Sequence, residues 1–246
     1  MSGHSKWSTI KRKKGANDQA RAKVFTKLAR EISVAVKEGG PDPDNNSRLR
    51  DLLAKGRASN VPQENLMRAI KKAGDNDKEN YESITYEGYG NGGIAVIVEC
   101  LSDNRNRTAS NVRHYFDKFG GNLGTTGCVS FMFEQKGVIV IEAEEYDEEK
   151  VMEDLFEAGA RDFTFEEGVI EVTTVPGELS AVADALEGMG YTLSQREVEM
   201  VPNNYTKIED EETLRKLALM FNALDDDDDV QNVWNNLDNE DDLPEL

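Results

Sequence analysis

The sequence predicts an α+β protein with an N-terminal three-helix domain and two α/β sandwich-type domains, the last ferredoxin-like and inserted into the middle one. Amphipathic helical patterns fill the first 74 residues, and strands with glycine-rich loops follow them. The order βαββαβ is predicted between residues 135 and 202. Its 246 residues are enough for two or three domains. The domains are predicted at residues 1–76, at 81–134 together with 203–246, and at 135–202.

Charge is distributed unevenly along the chain, which carries a formal net charge of -19 at pH 7. Residues 1–74 hold 17 Lys and Arg against 7 Asp and Glu, a net of +10, whereas the remainder holds 12 against 41, a net of -29. Such asymmetry indicates nucleic-acid contact through the basic part. The acidic part should repel phosphates and restrict which face can approach them. The alternative is that the acidic surface only keeps the protein in solution.

Three short amphipathic helices are predicted in the N-terminal domain. The first spans residues 18–37, where apolar residues recur at helical spacing, and the glycines and proline at 39–41 end it. The second covers roughly 45–58, and the third runs from about Pro62 to just before Gly74. Together they predict a small bundle with a basic exterior.

Strands and glycine-rich loops replace the helices after a polar linker at 75–80. The run at 94–101 is almost wholly apolar, as expected for the central strand of a sheet. Capping residues follow it and predict the start of a helix. The elements predicted in this region are strands at 81–86, 94–101 and 128–134, and a helix that ends near Lys118.

The ferredoxin-like arrangement is predicted from the strand–helix–strand–strand–helix–strand order that begins at residue 136. Its elements are predicted at 138–142, 147–158, 162–165, 169–173, 176–189 and 191–200. The chain then ends with a predicted helix over 210–224 and a strand near 230–235, which have no sheet of their own. They would complete the middle domain, so the acidic ferredoxin-like domain is predicted to be an insertion.

The first fourteen residues are the main candidate for phosphate binding, because no acidic residue occurs before Asp18. A basic segment with one aromatic residue can bind phosphate and stack on a base. A solvated tail is the alternative. Lys23 and Lys27 extend the basic surface along the first helix. The candidate residues of the tail are Lys6, Trp7, Lys11, Arg12, Lys13 and Lys14.

A second candidate anion site lies where the helix after the central strand begins. The segment at 102–108 is rich in capping residues, which places Arg105 and Arg107 at the positive end of a helix. Free backbone N–H groups there favour an anion. The alternative is that both arginines pair with nearby carboxylates.

Residues typical of catalysis or metal binding are sparse. Cys100 and Cys128 give neither a disulfide framework nor a metal spacing, and His4 and His114 have no ligand spacing. The run at 225–229 resembles a calcium-binding loop only in charge. If such a loop began at Asp225, its sixth position would be Val230, where these loops need glycine. The run is therefore expected to be a solvated connection. We therefore predict no enzyme activity, no cofactor and no metal. No apolar stretch is long enough to cross a membrane, and a cytoplasmic monomer is expected.

Several motifs together give the chain a resemblance to a known family. In order they are Gly3-His-Ser-Lys-Trp7, the helix at 21–32, Gly39-Gly-Pro-Asp-Pro43, Tyr86-Glu-Gly-Tyr-Gly90, Asp103-Asn-Arg-Asn-Arg-Thr108 and Gly120-Gly-Asn-Leu-Gly124. With them the chain resembles the YebC/PmpR family of probable transcriptional regulatory proteins over nearly its whole length. Minor departures are Arg12, where the family often has His, Asn91, where Pro is common, and Cys128, where Ser is common.

The resemblance implies a three-domain cytoplasmic protein that binds DNA and regulates transcription. For mitochondrial and some bacterial relatives it also implies translational activation at the ribosome. A DNA-binding transcriptional regulator is therefore our first hypothesis, and a ribosome-associated translation factor that binds ribosomal RNA is the alternative. A third hypothesis, from another class, is an adaptor that binds a protein partner through the acidic ferredoxin-like domain.

Overall fold

The computed structural model describes residues 18–74, 80–143, 147–166 and 168–244 and arranges them in three units. The N-terminal unit is helical, and the middle and third units each contain a four-stranded antiparallel sheet. The predicted fold class is confirmed, including the insertion of the third unit into the middle one.

Within residues 18–74, three helices form the N-terminal unit, as predicted. Leu28 and Ile32 of the first helix, Leu49 of the second and Leu66 of the third meet in its core. Gly56 lets the second helix approach closely, because a Cβ atom there would lie 2.8 Å from Cδ2 of Leu66. The helices are α1 (Asp18–Gly39), α2 (Ser47–Ala58) and α3 (Gln63–Gly74).

The middle unit begins with a hairpin of two eight-residue strands. The second of these is buried almost throughout, as its apolar sequence predicts. A helix capped by the side chain of Asn104 follows, and a two-residue strand then pairs with the first strand of the hairpin. These elements are β1 (Glu82–Tyr89), β2 (Ala95–Ser102), α4 (Arg105–Lys118) and β3 (Asn122–Leu123).

The third unit has the predicted βαββαβ order, with a sheet order of β5-β6-β4-β7. Its two helices cover one face of the sheet, and Leu155 and Leu186 are fully buried between the helices and the strands. Asp147 caps the first of the helices, and Gly159 ends it in the left-handed conformation. The elements are β4 (Phe133–Glu142), α5 (Glu148–Ala158), β5 (Asp162–Glu166), β6 (Val169–Thr174), α6 (Leu179–Gly188) and β7 (Leu193–Pro202).

The chain then returns to the middle unit with α7 (Glu211–Asp225) and β8 (Val230–Asn235). Strand β8 pairs antiparallel with β2, which gives the middle sheet the order β3-β1-β2-β8. Helices α4 and α7 pack on one face of this sheet, where Phe116 and Leu217 are fully buried. On the opposite face Trp234 packs with Phe133 at the start of β4.

The separate strand predicted at 128–134 is wrong. A single 3₁₀ turn at Ser130–Met132 leads directly into β4, which continues without a break to Glu142. The buried carboxylate of Glu87 accepts hydrogen bonds from the backbone N–H groups of residues 127, 129 and 130, so these groups do not join a ladder. The predicted domain boundary at 134/135 therefore falls inside β4.

Candidate nucleic-acid interface

Helix α1 presents a row of basic side chains beside its buried stripe. Lys23, Lys27 and Arg30 follow one another at intervals of four and three residues, which places them on one side of the helix. All three reach the run of five aspartates at Asp225–Asp229, called here the acidic segment, which closes α7 and precedes β8. This contact joins the N-terminal unit to the middle unit.

The exposed end of this contact lies at the C-terminus of α7. Lys23 forms an ion pair with Asp226, and this hydrogen bond raises the pKa of Lys23. Nζ of Lys27 lies 2.8 Å from the backbone oxygen of Asp225 and 3.1 Å from its Oδ1. The end of a helix carries partial negative charge, which adjacent aspartates make more negative. Lys23 and Lys27, which belong to the N-terminal unit, offset this negative charge of the middle unit.

The buried end of the contact is centred on Asp229, whose side chain is only 3% exposed. Its carboxylate accepts hydrogen bonds from Arg30 Nη1 at 2.6 Å, from Arg107 Nη2 at 2.8 Å and from Thr108 Oγ1 at 2.8 Å. Ser102 Oγ completes the set at 3.2 Å. Burial acts to raise the pKa of Asp229, but the hydrogen bonds from these arginines and from Thr108 outweigh it and hold the pKa below its usual value.

The start of α4 supplies Arg107 to this cluster. The side chain of Asn104 accepts a hydrogen bond from the backbone N–H of Arg107 and caps the helix. Arg107 then turns its guanidinium toward Asp229 and also toward Asp103, at 2.8 Å. Pairing with carboxylates, the alternative left open by the sequence, therefore describes Arg107. Arg105, by contrast, is exposed and makes no ion pair with any residue that the structure describes.

The predicted site residues are thus brought together only in part. Lys23, Lys27 and Arg107 converge on the acidic segment, whereas Arg105 faces solvent on α4. The remaining six predicted residues lie outside the described residues: Lys6, Trp7, Lys11, Arg12, Lys13 and Lys14.

The expectation that the acidic segment is a solvated connection is wrong at Asp229, which is buried. Asp227 is also engaged, because it accepts hydrogen bonds from Asn111 Nδ2 at 3.0 Å and from Tyr115 OH at 3.1 Å. Sequence reasoning missed Asp229 because five identical aspartates give no local sign of which one turns inward. Arg30 carried a signal, since it continues the spacing of Lys23 and Lys27.

Two glycine-rich stretches pack against each other beside α4. A Cβ atom at Gly121 would lie 2.7 Å from the backbone oxygen of Tyr89. Glycine at this position therefore allows the backbones of the two stretches to approach each other closely. Backbone hydrogen bonds also lower the pKa of Glu87 against the opposing effect of burial. The loop that Glu87 holds exposes Phe131, whose surface is 72% accessible. Phe131 was missed because the run around it was interpreted as a strand.

A second polar contact joins the N-terminal unit to the third unit. Arg196 of β7 is buried and donates to Asp51 of α2 at 2.7 Å and to Asp184 of α6 at 2.9 Å. Lys55 of α2 lies 3.2 Å from Glu31 and 3.5 Å from Glu197. These basic residues are engaged within the fold and do not present a phosphate-binding surface.

The described residues contain no group of three His, Cys, Asp or Glu side chains that could hold a metal ion. Both cysteines are free, and burial raises the pKa of Cys100 and of Cys128. Each is therefore a neutral thiol at pH 7. Within the same ranges, no helix is long and apolar enough to cross a membrane.

The fold and these contacts define an α+β protein of three units with a cationic N-terminal part. Residues 5–76 match the family model described as the TACO1/YebC protein N-terminal domain, and residues 81–237 match the TACO1/YebC second and third domain. The chain belongs to the TACO1/YebC family, which confirms the resemblance that the motifs indicate.

Curated relatives match the chain over nearly its whole length. One from Finegoldia magna is 54% identical over 241 residues, which cover 98% of this chain and 100% of the relative. Another, from Acetivibrio thermocellus, is 53% identical and covers 96% of this chain and 98% of the relative. Each is named a probable transcriptional regulatory protein.

A solved structure shares the fold. The crystal structure of a conserved hypothetical protein, Aq1575, from Aquifex aeolicus matches with a TM-score of 0.81 and 46% sequence identity. The match covers 89% of this chain and 91% of that chain. The arrangement of the three units described here is therefore similar to one that has been determined by crystallography.

Proposed function

We propose that this chain is a non-enzymatic, DNA-binding regulator of transcription that acts through its basic N-terminal domain. The names of its relatives support a regulatory role. The observation that carries the proposal is the charge segregation, with 17 basic residues against 7 acidic ones before residue 75. DNA binding by the proposed site would be dominated by phosphate contacts, which position a protein but do not by themselves read sequence. A cytoplasmic location and a monomeric state belong to the same proposal.

Within this proposal, the tail residues and Arg105 are the main phosphate contacts. Lys23 and Lys27 contribute only if phosphates displace the carboxylates of Asp226 and Asp225, to which they are paired. Arg107 is held by the buried Asp229 and serves to position α4. The six tail candidates act as a group, with Trp7 packing or stacking beside the basic residues.

The alternative function is a ribosome-associated translation factor that binds ribosomal RNA. One observation favours it, namely the exposed aromatic ring of Phe131 on a loop fixed by three hydrogen bonds to Glu87. Tyr89, whose hydroxyl donates to the backbone oxygen of Cys128 at 3.2 Å, lies beside the same loop. Rigid aromatic side chains stack on unpaired bases, which folded RNA offers and a DNA duplex does not.

A salt-titrated competition between duplex DNA and ribosomes separates these functions. The regulator predicts preference for the duplex and a strong loss of affinity when Lys11, Arg12, Lys13 and Lys14 are replaced by alanine. A matched control removes four basic residues from the acidic part of the chain: Lys136, Lys150, Arg161 and Lys207. Because both variants change the net charge equally, a loss confined to the first identifies a local site rather than overall charge.

Preference for ribosomes, together with a loss of affinity on Phe131→Ala, would replace the regulator with the translation factor. Equal losses in the two charge variants would remove the tail as the site. Binding to neither competitor would reject both nucleic-acid functions and leave the adaptor hypothesis.

A further inference from the structure

Helix α5 of the third unit carries two apolar rows. Val151 and Leu155 are buried against the sheet. Met152 and Phe156 form a neighbouring row at the same four-residue spacing, and they are 37% and 62% exposed. A large aromatic ring that is mostly exposed on a helix otherwise rich in charge is unusual, because apolar residues there normally face the core.

The exposed row continues onto strand β5. The ring of Phe156 packs edge-on against Phe163 with 5.6 Å between centroids, and Phe163 packs in the same way against Phe165, also at 5.6 Å. Because Phe163 and Phe165 are two residues apart, both lie on the helix-covered face of the sheet. The result is an aromatic strip, defined as Met152, Phe156, Phe163 and Phe165, that ends at the edge of the sheet.

Strand β5 is an outer strand of its sheet. Among the described residues it pairs with β6 alone, whereas the strand at the opposite edge, β7, packs on α2 of the N-terminal unit. The sequence Asp162-Phe-Thr-Phe-Glu166 contains none of the lysines or prolines that commonly protect an exposed edge. The backbone N–H of Phe163 donates to Oδ1 of Asp162 at 3.0 Å, so an extended segment that adds to this edge by backbone hydrogen bonding must displace that local bond.

The charge around the strip selects the kind of segment that fits. Exposed carboxylates line it on α5 at Glu149, Glu153 and Glu157. On the opposite face of the sheet the edge carries Asp162, with Glu171 on the neighbouring strand. Residues 135–202 together hold 4 Lys and Arg against 18 Asp and Glu. Nucleic acid and a second copy of this acidic unit are both disfavoured by like charge.

We propose that the aromatic strip and the β5 edge form a docking surface for an extended segment of a partner protein in which apolar and basic residues alternate. The added strand would place its apolar side chains on Phe163 and Phe165, next to Phe156. Its basic side chains would point to the other face, toward Asp162 and Glu171. The alternation follows from the two-residue period of a strand. This surface is separate from the proposed nucleic-acid site, and neither depends on the other.

The test measures binding of a fluorescent peptide of alternating Val and Lys to the full chain. Phe156→Ser should weaken binding about tenfold, because aromatic anchors dominate small interfaces. Met67→Ser removes a comparably exposed apolar residue, 55% accessible, from the N-terminal unit and should leave peptide binding unchanged. Replacing Asp162 and Glu171 by Lys should make the chain prefer a peptide of alternating Val and Glu, because the basic side chains of the bound segment face these two carboxylates. Nucleic-acid affinity should not change with Phe156→Ser.

Other outcomes would overturn the proposal. Equal weakening by Phe156→Ser and Met67→Ser would show that the peptide adheres to apolar surface in general. Dimers of the full chain that disappear with Phe156→Ser would assign the strip to a second copy. Tighter peptide binding after deletion of residues 1–14 would mean that the basic tail of the same chain occupies the strip.

Discussion

The two ends of the acidic segment make the same kind of contact in opposite environments. At one end Asp225 and Asp226 are 57% and 62% exposed and pair with Lys27 and Lys23. At the other end Asp229 is 3% exposed and is held by two arginines and two hydroxyl groups. Five consecutive residues thus contain both an exposed ion-pair surface and a buried, fully hydrogen-bonded carboxylate.

One row of charges on α1 therefore serves two purposes. Exposed ion pairs contribute only about 0–1 kcal/mol to the free energy of unfolding, since water and salt compete with them. Removing one partner of a buried pair costs about 3–5 kcal/mol, because the remaining charges stay desolvated. Asp229 therefore fixes the N-terminal unit to the middle unit, whereas the exposed Lys23 remains exchangeable between Asp226 and phosphates.

The largest effect is expected for Asp229→Ala. This change leaves Arg30 and Arg107 without their shared carboxylate and should lower the free energy of unfolding by about 3 kcal/mol or more. Denaturation with urea measures it. Asp226→Ala, three positions before Asp229 in the chain, is the matched control and should change the same quantity by about 0.5 kcal/mol or less. Equal effects of the two substitutions would break the comparison.

A second buried carboxylate, Glu87, tests whether the destabilisation expected for Asp229→Ala comes from burial of the carboxylate or from its position between two units. Glu87 is 4% exposed and accepts three backbone hydrogen bonds. Glu87→Gln should destabilise the chain by about 2 kcal/mol, because an amide oxygen replaces a charged acceptor. Hydrogen exchange at Gly127, Val129 and Ser130 should accelerate in this variant. Unchanged exchange at these amides would show that the carboxylate does not hold the loop.

The free energy of unfolding should depend on pH through Asp229, at the buried end of the acidic segment. The pKa of Asp229 is lowered in the folded protein, so the stability it provides is present above its unfolded value of about 3.9 and is lost as pH falls through the folded pKa. Asp229→Asn should therefore flatten the loss of unfolding free energy below about pH 4. A slope in Asp229→Asn equal to that of the wild type would contradict the assignment.

The smallest effect on stability is expected at the exposed end. Replacing both Asp225 and Asp226 by Asn should change the free energy of unfolding by less than about 1 kcal/mol. Affinity for nucleic acid at low salt should rise, by up to about fivefold, because Lys23 loses its carboxylate partner and becomes available to phosphates, whereas Lys27 keeps its hydrogen bond to the backbone oxygen of Asp225. Fluorescence anisotropy with duplex DNA measures this change. An unchanged affinity would show that Lys23 does not contact phosphates.

Local patterns in the sequence were enough to predict the helices, most strands and the inserted topology. The apolar run of β2 and the four-residue spacing in α1 depend only on neighbouring residues. The errors lie where distant residues decide the structure. Arg30 meets Asp229 across 199 positions, and Glu87 organises residues 127–130 from about 40 positions away. No periodic pattern reports such pairings, so the run of aspartates was interpreted as solvated and residues 128–134 as a strand.

We propose that the basic N-terminal segment contacts nucleic-acid phosphates. The slope of log affinity against log salt concentration for duplex DNA tests this proposal without regard to the target sequence. Each lost phosphate contact should reduce the slope by about 0.9. Replacing Lys6, Lys11, Arg12, Lys13 and Lys14 by alanine should therefore reduce it by up to about 4.5, or about 0.9 for each of the five. An unchanged slope in that variant would contradict the claim, whatever the absolute affinity.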